Sequence, residues 1–151
     1  MIIKSLEKLN LLAHRIGEKT SNTDCIFLSG EIGVGKTTFT RNLIHFLQKR
    51  EKIKLTDVLS PTFNLLYEYK INNLKIMHYD LYRLKTVKEV KDLGIFNDLE
   101  KNIKIIEWPE LIKDNIKNKI ELKFAHSINE DERNLEIIGH GKWEDFKINE
   151  L

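Results

Sequence analysis

Cysteine is nearly absent: Cys25 stands alone among 151 residues, so no internal disulfide can form and the chain must fold on its own core. Cys25 lies inside an apolar run and reads as a small buried hydrophobe, which fits a reducing, cytoplasmic setting. Proline occurs only at 61 and 109 and glycine seven times, too few for a collagenous chain or a proline-rich linker. No stretch approaches the roughly 20 apolar residues of a membrane span. The start, Met1-Ile2-Ile3-Lys4-Ser5-Leu6-Glu7, lacks the apolar core of a leader, so a soluble, uncleaved chain with no membrane role is expected. Charge of one sign is not in excess either. With 32% charged residues and a formal net charge of +2, lysines are interspersed with acids, and the strong electrostatic footprint of a nucleic-acid binder is missing. Repeats and linkers are also lacking, and the length suits a single domain over 1–151 that can bury a core unaided.

What is present is a glycine cluster at one place. Gly30-Glu31-Ile32-Gly33-Val34-Gly35-Lys36-Thr37-Thr38 matches the phosphate-binding pattern G-x-x-x-x-G-K-[ST]. A polyphosphate tail can be surrounded by consecutive backbone N–H groups only where side chains stay out of the way, which asks for glycines. Lys36 brings a mobile point charge to the β- and γ-phosphates, and the Thr37 hydroxyl suits an octahedral Mg²⁺. Gly33, Val34, Gly35 and Thr38 complete the expected nucleotide-binding stretch. The flanks carry the arrangement that the loop needs: residues 24–29 (DCIFLS) read as a short buried strand, and residues 38–48, with Phe39, Leu43, Phe46 and Leu47 on one face, read as a helix whose N-terminal dipole faces the same anion.

Before that strand, Leu6, Leu9, Ala13 and Ile16 recur at helical spacing, with Ser5 as N-cap and Gly17 as terminator. Residues 49–54 (KREKIK) read as a solvated connection. In Ser60-Pro61-Thr62-Phe63 the proline restrains Ser60 to extended or turn geometry and gives Thr62 a fixed direction. Apolar residues then alternate from Phe63 through Leu65, Tyr67 and Tyr69 to Ile71, Asn72-Asn73 makes a turn, and a strand resumes from Leu74 to Tyr79, which predicts a hairpin ending at His78-Tyr79-Asp80-Leu81-Tyr82-Arg83. Thr86 and Glu89 have capping-box spacing, Gly94 is the C-terminal stop, and a second short helical piece is expected through Leu99. Ile103 to Glu107 is too short for a helix and is stopped by Pro109, so it reads as a buried strand. Ile120, Leu122 and Phe124, then Leu135 and Ile137, form a second hairpin, and Trp143, Phe146 and Ile148 anchor the tail.

A phosphate-loop enzyme needs a second acid near its metal, usually at the end of a neighbouring strand. Two residues compete. Glu107 has the cleaner apolar approach through Ile103, Ile105 and Ile106. Asp80 closes a more polar strand nearer an edge but sits between His78 and Arg83, an ionisable cluster that is costly to bury for packing alone; pairing of Asp80 with Arg83 is its plainer explanation. Asn118-Lys119-Ile120-Glu121 nearly matches the guanine-reading N-K-x-D, yet Glu121 replaces the Asp and the segment enters a strand instead of leaving one, so guanine specificity is rejected. Trp108 can stack on a purine or serve as core.

The phosphate loop, Ser60-Pro61-Thr62-Phe63, His78-Tyr79-Asp80-Leu81-Tyr82-Arg83 and Glu107-Trp108-Pro109-Glu110, in this order and spacing, resemble the TsaE (YjeE) family of bacterial ATPases over nearly the whole chain. The resemblance implies an α/β, P-loop NTPase-type three-layer fold with a central parallel sheet flanked by antiparallel strands. It also implies a cytoplasmic, Mg²⁺-dependent ATPase required for threonylcarbamoyladenosine formation in tRNA, working with the TsaB–TsaD pair, of which TsaD carries the carbamoyl transfer. By motif, Thr37 and Glu107 would be Mg²⁺ ligands, Thr62 would lie on a loop sensing the γ-phosphate, and Asp80 would support hydrolysis beside Lys36. Arg133 matches an arginine near the nucleotide in relatives. Where relatives place a threonine toward adenine, Lys8-Leu9-Asn10 offers none and Ser5 is the substitute. Direct contact with tRNA is left open by the residues. A small-molecule kinase is the competing reading, against which stand the scarcity of arginine after Arg83 and the lack of a lid-like insertion; a non-hydrolysing adaptor is the third. Because no arginine is an obvious finger, slow hydrolysis by the isolated chain is expected, with partners completing the site near Thr62.

Overall fold

The computed structural model describes residues 1–97, 101–129 and 131–147. In chain order it forms β1 (Ile2–Ile3), α1 (Leu6–Lys19), β2 (Cys25–Ser29), α2 (Lys36–Arg50), β3 (Leu66–Ile71), β4 (Leu74–Asp80), α3 (Val87–Asp92), β5 (Ile103–Glu107), β6 (Lys119–His126) and β7 (Arg133–His140). The strands make one sheet in the order β1-β7-β6-β2-β5-β4-β3. Its middle, β6-β2-β5-β4, is parallel. Antiparallel strands flank it on both sides: β3 on β4, and β7 with β1 beyond β6. This is the α/β arrangement expected of the sequence.

A parallel strand covered on both faces has to be apolar throughout, and period two assigns its side chains to two cores. Ile26 and Leu28 of β2, Ile76 of β4, and Ile103 and Ile105 of β5 pack with Leu12, Ile16, Phe39, Leu43 and Leu47 of the paired helices α1 and α2. Cys25, Phe27, Tyr79 and Ile106 point the other way, onto Val90 of α3 and onto Ile112 in the 3₁₀ turn Pro109–Ile112. Burial pushes the Cys25 thiol up to about 12, so it behaves as the packing group its apolar setting suggests. Among the described residues no helix is long and apolar enough to cross a membrane.

Side-chain caps open α1 and α3. Ser5 accepts from Lys8 N at the start of α1, and Thr86 and Glu89 form a reciprocal capping box on α3, with Gly94 in the left-handed region beyond its end. Gly17 does not end α1, contrary to expectation. The helix runs on to Lys19 and closes at Thr20, whose hydroxyl donates to Ile16 O at 2.8 Å. Gly17 serves instead as a close-approach residue, because a Cβ there would overlap the Phe46 ring of α2.

The alternation from Phe63 is also misleading. Leu65 takes a positive φ of 65°, Phe63 is 84% exposed, and β3 begins only at Leu66; the first apolar residues of the pattern belong to the loop. Residues 93–96 form turns instead of the expected second helical piece, and its end at Leu99 lies outside the described residues. Trp143 is buried and Phe146 packs beside it at 5.3 Å between rings, while Ile148 also lies outside the described residues. The two-residue β1 went unforeseen because it is too short for any periodicity. It pairs Ile3 with Arg133 and thereby pins the entry to α1 beside β7.

Candidate functional site

Parallel strands end together, and the segments beyond their carboxyl ends share one edge of the sheet. The β2 end continues into Gly30 and the glycine loop; β5 ends in Glu107; β4 ends in Asp80, whose Cα pairs with that of Glu107. Strand parity then aims the chemistry. Asp80 and His78 share the face of Ile76, and Glu107 shares that of Ile105, so all three turn toward the layer that carries α2. The Asn118-Lys119-Ile120-Glu121 segment enters β6 at the opposite end of the sheet, which agrees with its rejection as a base reader.

Gly30, Gly33 and Gly35 have φ of 129°, 78° and 116°, conformations that side chains disfavour. Gly35 caps α2 with no side-chain bond and no acid occupies the first helical turn, so the first amides of α2 are available to an anion. Lys36 Nζ donates to Gly30 O at 2.6 Å and Glu31 O at 2.9 Å and lies 4.6 Å from the Trp108 ring centre. Burial holds Lys36 below the usual lysine range, with Glu107, Asp80 and Glu110 opposing that shift.

The acids are built in differently. Asp80 and Glu107 are each 3% exposed, and a buried carboxylate is tolerated only with partners. Asp80 accepts from Tyr82 N at 2.9 Å through Oδ1 and from the Thr62 hydroxyl at 3.1 Å through Oδ2. A carboxylate only accepts, so the single Thr62 proton points to Asp80, and Ser60 Oγ, 2.8 Å away, donates to Thr62 in turn. Arg83, whose pairing with Asp80 was the plainer expectation, turns instead to Phe63: its Nη2 donates to Phe63 O at 2.6 Å and its guanidinium lies 5.6 Å from that ring. Glu107 Oε1 accepts from Thr37 Oγ1 at 3.5 Å and lies 2.9 Å from His78 Nε2.

Lys36, Thr37, Thr62, Asp80, Glu107 and Trp108 thus line one cleft of about 180 Å³. Its oxygen donors, the Thr37 hydroxyl beside a carboxylate, suit a hard divalent cation. Among the described residues no group of three His, Cys, Asp or Glu could hold a metal. Arg133 is elsewhere. It opens β7, which is antiparallel to β6 and so starts at the loop's end of the sheet. With Ser5, Gly33, Val34, Gly35 and Thr38 it lines a second cleft on the other side of the loop. Trp108 therefore lines the cleft of Lys36 and Glu107, its ring centre 4.7 Å from that of Tyr82 with the planes tilted by 50°, and not the one beside Ser5 and Arg133. Its φ of 57° turns the chain sharply out of β5. Two residues of the site, Ser60 and His78, had no role foreseen from sequence. The second was accessible: two positions before Asp80 on a strand means the same face.

The family model described as "Threonylcarbamoyl adenosine biosynthesis protein TsaE" matches residues 3–135. A Rickettsia felis protein named "tRNA threonylcarbamoyladenosine biosynthesis protein TsaE" is 41% identical over 114 residues, which are 75% of this chain and 64% of that protein; the match thus spans a little under two thirds of that relative's length. A Haemophilus influenzae protein of the same name is 34% identical over 122 residues, covering 79% of this chain and 72% of its own. Among solved structures, the crystal structure of Bacillus subtilis YdiB superposes with a TM-score of 0.71 over 96% of this chain and 87% of that one, at 22% identity, a likeness of fold.

Proposed function

The chain belongs to the TsaE family of threonylcarbamoyladenosine biosynthesis proteins, and from that membership we propose that it is a Mg²⁺-dependent ATPase whose hydrolysis cycle drives turnover of a TsaB–TsaD complex in the modification of tRNA. The observation that carries the reading is the convergence of Lys36, Thr37, Thr62, Asp80 and Glu107 on one cleft at the mouth of the glycine loop. Loop amides and the start of α2 hold the phosphates of ATP. Lys36 exchanges its loop carbonyls for phosphate oxygens, which places a positive charge where negative charge develops. Thr37 and Glu107 would hold Mg²⁺, which would supply charge neutralisation at the phosphates. Asp80, oriented by Tyr82 N–H and Thr62, accepts a hydrogen bond from the attacking water. Arg133 and Ser5 flank the base side.

Thr62 has one proton, and it can serve Asp80 or a γ-phosphate oxygen but not both. A segment with two such partners changes place with nucleotide state, and Leu59 and Phe63 beside it are exposed; this is where the partner complex docks and completes the site. Single-turnover assays with radiolabelled ATP test the reading. Phosphate release that is slow alone and accelerated by TsaB–TsaD is expected. Transfer of label to a small acceptor would make the protein a kinase, and binding without turnover in either condition would make it an adaptor.

A further inference from the structure

His78 is wholly buried and, among the described residues, meets one hydrogen-bond partner, Glu107, at 2.9 Å. A packing residue of like volume would fill that space without desolvating two ionisable groups, so its position calls for a reason. The partners fix the proton arrangement. Oε1 of a carboxylate only accepts, hence Nε2 carries the hydrogen. Nδ1 is buried with no partner among the described residues, so the ring's one hydrogen bond is the Nε2–H donated to Glu107.

Among the described residues both hydrogen bonds to the Glu107 carboxylate, from His78 and from Thr37, fall on Oε1. Oε2 is left for a cation. His78 is held rigidly while it does this: its Cα faces Ile105 across the β4–β5 pairing, one strand over and two residues back from Glu107, and the interior of a parallel sheet gives it no room to swing. We propose that His78 is a positioning residue that clamps Glu107 through Oε1 and so presents Oε2 to Mg²⁺. This rests on the reading of Thr37 and Glu107 as the cation's ligands. Hydrogen bonds that orient a metal ligand commonly change metal affinity 10- to 100-fold when removed.

Side-chain geometry supplies the test. A glutamine amide nitrogen falls near the place of a histidine Nε2, whereas an asparagine amide nitrogen falls near Nδ1 and stops short of Glu107. Calorimetric binding of adenylyl imidodiphosphate would be measured across a Mg²⁺ titration for the wild type and for Glu107→Gln, His78→Asn and His78→Gln, with thermal melting of each protein alone as the folding control. The wild type should bind more tightly with Mg²⁺ and Glu107→Gln should lose that gain; if the wild type shows no Mg²⁺ gain, the reading of the cleft itself fails. Given that gain, His78→Asn should need at least tenfold more Mg²⁺ for half of it while its affinity in EDTA is unchanged, and His78→Gln should stay within about threefold of wild type. A His78→Asn that matches wild type overturns the proposal. So does an equal Mg²⁺ shift in both variants, or a loss in EDTA as large as the loss with Mg²⁺, since either would mean a general packing role.

Discussion

Gly30 and Gly33 lie in the same loop, yet the structure assigns them opposite failures when a methyl group is added. At Gly30, φ is 129° and a Cβ would overlap the carbonyl oxygen of Phe124 and come within 3.1 Å of that residue's Cβ. A disfavoured backbone conformation costs about 1–3 kcal/mol, and relieving an overlap against backbone that cannot rotate away costs about 1–3 kcal/mol more. Phe124 is hydrogen-bonded into β6, beside β2, so neither partner yields cheaply. Gly30→Ala should therefore lose about 2–6 kcal/mol of a total stability on the order of 5–15 kcal/mol, and melt roughly 5–20 °C lower. At Gly33, φ is 78° but a Cβ meets nothing within 4 Å; the conformational cost alone remains, about 1–2 kcal/mol. That open space adjoins both clefts, since Gly33 lines the phosphate mouth and the Arg133 side alike. A methyl group there stands between the loop amides and a polyphosphate, so Gly33→Ala should weaken ATP binding at least about tenfold, or 1.4 kcal/mol. Urea unfolding without nucleotide and calorimetry with ATP separate the two effects. Equal unfolding free energies for the two variants would refute the steric account of Gly30, and wild-type affinity in Gly33→Ala would refute the phosphate cradle.

Lys36→Ala should reduce partner-stimulated phosphate release by about 10²–10³, the usual loss when one preorganised charge is removed, while part of the binding survives on backbone amides; undiminished release would remove the loop from the chemistry. Glu107→Gln should raise the Mg²⁺ requirement more than Asp80→Asn, because Glu107 lies with Thr37 whereas both oxygens of Asp80 are engaged with Tyr82 N and Thr62; the reverse order in a Mg²⁺ titration would exchange their roles. Thr62→Ala should keep ATP affinity within about threefold, given that the amide cradle does not include it, yet abolish acceleration by TsaB–TsaD, and a variant that still responds to the partners would refute the docking mechanism.

Two local patterns in the sequence mislead. Gly17 carries the usual mark of a helix end, but its absent side chain is needed by Phe46, a residue 29 positions away. Phe63 and Leu65 continue an alternation that the backbone abandons at Leu65. In the first, a local pattern is overruled by a contact with a distant residue; in the second, by a turn in which Leu65 N donates to Pro61 O at 2.7 Å and which apolar alternation does not register.

Local chemistry, by contrast, was enough for the glycine loop, the buried strand that ends in Glu107, the strand that leads to Asp80 and the capping box of α3, because each depends on residues within a few positions of one another: amides that need glycines, period-two burial, a hydroxyl three residues from a carboxylate. Sequence order also carried the motifs that point to TsaE. Only the tertiary structure decided that β4 lies beside β5 and so brings Asp80 next to Glu107. The same holds for His78 seated on Glu107, for Thr62 holding Asp80 in place of Arg83, and for Arg133 standing across the loop from Trp108. Those facts depend on strand order and on which ends of distant strands coincide. The pairing of parallel strands is set by the burial of the whole sheet between its two cores, a quantity that belongs to the assembled chain and to no segment of it.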